Sequence, residues 1–186
     1  RTLQHEAHID QPICITSAPP RTDARFVTVC GMPLLASDIT MIFGDGGSRK
    51  SLLALWWAAL LSMQDTRVLW IDWEMRVEDH QERIRTMLDD EPLPNLFHLL
   101  GTAPLAQMED ALREHLKRLA CTYVVIDSAM AASPGKDGNP SMMPTEFFQA
   151  LRRLKVGALI IGHTTKVGED TRPMGSIFWH NSVRAS

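Results

Sequence analysis

The stretch Ile39-Thr40-Met41-Ile42-Phe43, then Gly44-Asp45-Gly46-Gly47-Ser48-Arg49-Lys50-Ser51, then the helical run Leu52–Met63, constrains this chain more than any other. Its order is strand, glycine-rich turn, Lys-Ser, helix. Glycines let backbone N–H groups turn inward around phosphate oxygens, and the positive end of the following helix points at the same place. The turn reads as a nest for a triphosphate, with Lys50 reaching the β and γ phosphates and the Ser51 hydroxyl ligating Mg²⁺. Against the pattern G-x-x-x-x-G-K-[ST], Gly44, Lys50 and Ser51 match, while Arg49 stands at the second glycine position. A side chain is expected there only with a negative φ and directed away from the phosphates, Gly46 and Gly47 supplying the flexibility.

Around this loop, short apolar runs alternate with helical stretches. Arg25–Cys30, Ile39–Phe43, Arg67–Asp72, Leu96–Leu100, Thr122–Asp127 and Val156–Gly162 read as strands, with Gly31-Met32-Pro33 as a boundary after the first. Leu105, Met108, Leu112, Leu116 and Leu119 trace one helix face. Tyr123–Ile126 and Ala158–Ile161 are continuously apolar, which predicts burial on both faces. The expected fold is therefore a three-layer α/β domain with a mostly parallel central sheet. At 186 residues the chain has room for about one such domain. It is assigned to 25–186, preceded by a linker or arm over 1–24 that carries Pro12, Pro19 and Pro20. His5 and His8 lie three apart in that arm, not at the four-residue helical spacing of a zinc motif. Because residue 1 is Arg1, the segment is expected to be cut from a longer protein.

Nineteen Lys and Arg against 22 Asp and Glu exclude a partner gripped by global basicity, so polyanion binding must be local. Cys14, Cys30 and Cys121 form no C-x-x-C pair and fit a reducing cytoplasm. The apolar run around Leu52–Leu61 is too short for the ~20 residues that span a bilayer.

Three further strand ends carry polar groups. Tyr123–Ile126 ends in Asp127; in proteins with such a loop, the strand beside it ends in an Asp that holds Mg²⁺ directly or through water. Val68–Ile71 leads into Asp72-Trp73-Glu74, and alternation puts Asp72 and Glu74 on one side if the strand continues that far. Glu74 is then the candidate to orient and deprotonate the attacking water. The competing reading has both acids capping the next helix, whose apolar side is Val77, Ile84, Met87 and Leu88. His163 ends the last clear strand; spacing alone leaves it open between a structural residue and a γ-phosphate sensor.

In this order, Gly44–Ser51, Ile71-Asp72-Trp73-Glu74, Val124–Ser128 and Gly162-His163-Thr164-Thr165-Lys166 with Met174-Gly175-Ser176 resemble the RecA-like P-loop ATPases. The branch most similar is that of plasmid and phage RepA-type helicases, related to the DnaB replicative helicases. The resemblance runs from about Arg25 to the end. It implies that Glu74 is the catalytic base, His163 the γ-phosphate sensor, ATP the nucleotide and a hexameric ring the assembly. It also implies that the loops 129–144 and 167–172 face a central channel and touch single-stranded DNA, with Lys136, Lys166 and Arg172 as their basic residues. Asp137, Glu169 and Asp170 offset those charges, so electrostatics gives DNA contact no independent support. An arginine finger is not assignable; Arg184 is the only arginine after Gly175-Ser176.

The expected function is an ATP-hydrolysing, Mg²⁺-dependent motor domain of a replicative DNA helicase. The alternatives are a RecA/KaiC-like recombination or regulatory ATPase sharing the same core, and a nucleotide-sensing interaction module in which Arg49 has compromised turnover. A small-molecule kinase fits less well, since no arginine-rich substrate lid is visible.

Overall fold

A computed structural model of the chain describes residues 26–133 and 143–163. The proline-bearing arm, Lys136, Lys166, Arg172, Met174-Gly175-Ser176 and Arg184 lie outside the described residues.

The chain opens with an antiparallel hairpin, β1 (Phe26–Val29) and β2 (Met32–Leu35). The second strand corrects the sequence reading, which placed a boundary at Met32-Pro33. Pro33 is tolerated because this ribbon has a free edge, and Gly31 at φ 77° supplies the left-handed turn. Then follow β3 (Ile39–Gly44), α1 (Lys50–Met63), β4 (Val68–Asp72), α2 (Val77–Leu88), β5 (Leu96–Leu100), α3 (Leu105–Leu119), β6 (Tyr123–Asp127), α4 (Met143–Arg153) and β7 (Gly157–His163).

The five strands of the main sheet run in the order β3-β7-β6-β4-β5, with every neighbouring pair parallel. The strand beside the phosphate loop is thus β7, ending in His163, and not β6, ending in Asp127. This corrects the expectation drawn from Asp127; periodicity identifies a strand but carries no information about its neighbour.

Strand alternation sorts the apolar residues into two cores. Val68, Trp70, Tyr123, Val125, Leu159 and Ile161 meet Ala54, Leu55, Trp57, Ala58 and Leu61 of α1 on one face. Leu69, Ile71, Val124, Ile126, Ala158 and Ile160 meet Leu105, Leu112 and Leu116 of α3 and Phe147, Phe148 and Leu151 of α4 on the other. Helices on both faces make the three-layer sandwich expected from the unbroken apolar strands. The helix face read from 3.6-residue spacing is the buried face of α3, with Met108 and Leu119 packed at its margin. In α2 the expectation is only half met: Ile84 and Met87 pack at the margin of the core, but Val77 is exposed and the buried residue is His80. A buried imidazole inside a charged helix leaves no apolar signal in the sequence.

Candidate active site

Parallel strands bring the expected polar residues to one sheet edge, where ligands collect in open α/β sheets. In the paired registers, Gly44 lies level with His163, and Asp127 lies level with Asp72.

The phosphate loop leaves β3 at Gly44 and tightens through a Ser48 N–H bond to the Asp45 carbonyl at 3.2 Å, reinforced by Ser48 Oγ at 2.7 Å. Gly47 takes φ 79°, as the turn requires, whereas Gly46 needs no positive φ. Arg49 has φ 63° and ψ 24°, which overturns the expected negative φ. A side chain costs roughly 1–2 kcal/mol in this left-handed region, which glycine enters freely. The position thus keeps the backbone shape of a glycine without the glycine, and the Arg49 side chain is exposed. As N-cap of α1, Arg49 makes no side-chain cap, and no acidic residue occupies the first turn.

Lys50 Nζ donates to the Gly44 carbonyl at 2.9 Å, the Asp45 carbonyl at 2.7 Å and Ser48 Oγ at 3.2 Å. Burial pushes its pKa down, opposed by the nearby charges of Asp127 and Asp45. The ammonium is therefore held in the mouth of the loop and in the field of Asp127.

Asp127 joins the loop to the rest of the edge. Burial raises its pKa to about 6, helped by the negative charges of Asp72 and Glu74, while a hydrogen bond from Ser51 and the neighbouring His80 oppose the shift. A carboxylate crowded by other carboxylates and bonded to a hydroxyl is suited to a hard divalent cation. Ser51 and Asp127 offer the hydroxyl and carboxylate oxygens that Mg²⁺ prefers, and Mg²⁺ takes few protein ligands, completing its shell with phosphates and water. Among the described residues, no group of three or more His, Cys, Asp or Glu is placed to hold a metal ion. The ligands implied at Ser51 and Asp127 fit Mg²⁺ on this donor set.

Glu74 is exposed and contributes to the field on Asp127. It does not continue the strand with Asp72, since β4 stops at Asp72. Asp72 instead turns inward, 1% exposed, and accepts the N–H groups of Glu74 at 2.8 Å and Met75 at 2.9 Å. The next helix is capped by Asp79, which accepts the Arg76 N–H at 3.1 Å, so Asp72 and Glu74 do not serve as its caps. His163 is half-buried at the tip of β7 beside the start of the loop. The edge thus gathers Lys50, Ser51, Asp127, Glu74 and His163. Residues the sequence reading missed are His80, buried in α2, and His98, half-buried in β5, neither of which has motif spacing.

A family model described as an AAA domain matches residues 28–169. Among curated proteins, the DNA repair protein RadA of Chlamydia pneumoniae is 25% identical over 145 residues, covering 78% of this chain and 32% of that protein. The DNA repair protein RadA of Chlamydia muridarum is 26% identical over 153 residues, covering 78% of this chain and 31% of that protein. The chain spans about a third of the length of these relatives.

Proposed function

The chain belongs to the AAA domain family as an ATPase domain of the RecA-like type, and from that premise we propose that it is a Mg²⁺-dependent, ATP-hydrolysing motor acting on single-stranded DNA in the cytoplasm. The observation that carries the proposal is the convergence of Lys50 and Ser51, at the start of the phosphate-loop helix, on Asp127, a strand end that also feels Glu74.

In this reading the loop N–H groups and Lys50 hold the triphosphate, Lys50 exchanging its three loop acceptors for phosphate oxygens. Ser51 and Asp127 would hold Mg²⁺, which would supply positive charge against the bound phosphates. Glu74 orients a water in line with the γ phosphate and accepts its proton as the water oxygen bonds to the γ phosphorus and the P–O bond to ADP breaks. His163, level with Gly44, reads the presence of the γ phosphate.

The proposed role on DNA is that of a plasmid- or phage-type replicative helicase, working as a hexameric ring with Lys136, Lys166 and Arg172 in the DNA-facing loops. A second reading, a RecA/KaiC-like recombination ATPase, is favoured by the matches to proteins named DNA repair protein RadA. The deciding experiment measures ATP hydrolysis by the full-length protein with and without single-stranded DNA. Stimulation by DNA is expected. DNA-independent hydrolysis would count against the motor, and tight Mg·ATP binding without turnover would favour a nucleotide-sensing module. Strand unwinding against strand pairing then separates helicase from recombinase.

A further inference from the structure

The turn that carries Glu74 is held on both sides by buried and half-buried groups from separate elements. Asp72 Oδ1 accepts the N–H groups of Glu74 and Met75 at 2.8 and 2.9 Å. Its Oδ2 takes the His80 Nε2 bond at 2.9 Å and the Trp70 Nε1–H at 3.3 Å. An ionised carboxylate only accepts, so His80 carries its proton on Nε2. From the neighbouring strand β5, His98 faces the Met75 backbone, and its ring lies 5.1 Å from that of His80. On the other flank, Trp73 Nε1 donates to the Ala103 carbonyl at 2.9 Å, and its indole lies flush on Gly101, where a Cβ would overlap it. Glu74 keeps its side chain exposed.

For stability, this cluster is a poor solution. Burying a carboxylate beside two imidazoles costs more than an apolar core of the same shape. Two of its nitrogens, His80 Nδ1 and His98 Nε2, are buried without a protein partner. Its gain is geometric: Asp72 holds the N–H groups of the two peptide units that flank Glu74, and His98 meets the Met75 backbone just beyond them. We propose that Asp72 and His98 are positioning residues that hold the Glu74 turn in register with the phosphate loop, with His80 bracing Asp72. The proposal rests on the reading of Glu74 as the base.

The test uses the full-length protein with His98→Phe, which removes the polar group facing the Met75 backbone, and His98→Asn, whose amide can replace it. Misplacing a base by about 1 Å costs up to about 100-fold in rate. His98→Phe is therefore expected to lower kcat for ATP by at least about tenfold, with KM within about twofold, and His98→Asn to recover most of the loss. Faster hydrogen exchange at the Glu74 and Met75 amides should accompany the loss. If His98→Phe does not fold, His98→Leu is read the same way. Wild-type kcat in these variants, or a loss that the Asn variant does not restore, overturns the positioning role. Glu74→Gln is measured alongside: an inactive Glu74→Gln with an unaffected His98→Phe overturns the positioning role alone. A Glu74→Gln that turns over normally overturns the base reading, and the proposal with it.

Discussion

Asp72 and Asp127 are register partners at the ends of adjacent parallel strands, and their pKa values move in opposite directions. Burial pushes Asp72 up, but hydrogen bonds from His80, from the Met75 and Glu74 N–H groups and from Trp70 outweigh it and hold the pKa below the ordinary carboxylate value. Asp127 lacks that set of donors, and burial takes it to about 6. One carboxylate is saturated by the protein and serves as structure. The other retains capacity for a cation.

That asymmetry sets a pH dependence. Asp127 has an ordinary pKa of 3.8 and one of about 6 in the fold, so the native state binds the extra proton between those values. Its contribution to stability is present below pH ~4 and is lost as pH rises through ~6, on the order of 3 kcal/mol in all. Asp127→Asn should therefore gain stability relative to wild type as pH rises from 4 to 7 in metal-free buffer. Urea unfolding midpoints across that range are the measurement; a pH-independent difference contradicts it.

Arg49 holds a glycine-like φ of 63°. Arg49→Gly should leave stability within about 1 kcal/mol of wild type, since relieved strain offsets the added freedom of the unfolded chain. Arg49→Val, β-branched at a left-handed position, should lose about 1–2 kcal/mol. Thermal unfolding of the two variants separates a backbone requirement from a side-chain one.

Lys50 already places its ammonium among three oxygen acceptors of the loop. Loss of a charge-assisted contact of about 1.5–3 kcal/mol predicts that Lys50→Ala weakens Mg·ATP binding about 10- to 100-fold by calorimetry. Affinity equal to wild type would remove the loop from the nucleotide site.

Gly101 abuts the Trp73 indole so closely that a methyl group cannot enter without displacing it. Gly101→Ala should destabilise by about 1–3 kcal/mol. It should also lower kcat more than KM, because Trp73 is the neighbour of Glu74. Steady-state kinetics beside denaturant unfolding would show both effects.

How far the sequence reaches depends on whether the signal is local. The phosphate loop was legible because glycine, lysine and a hydroxyl at fixed offsets between a strand and a helix are all local requirements. Five strand runs of the main sheet, and the α3 face from Leu105 to Leu119, were legible for the same reason. Asp127 and Glu74 could be proposed from strand ends. The burial of Asp72 could not, because its partner His80 comes from α2, with His98 of β5 packed against that ring.

The sequence alone therefore determined the layered α/β class, the phosphate loop and the polar strand ends, since these follow from periodicities of 2 and 3.6 and from backbone chemistry within a few residues. Only the tertiary structure decided that β7 lies between the loop and Asp127, that Arg49 is left-handed, and that Asp72 points inward beneath Glu74. Strand order and burial of polar side chains are set by which distant elements pack together, and no local pattern records that.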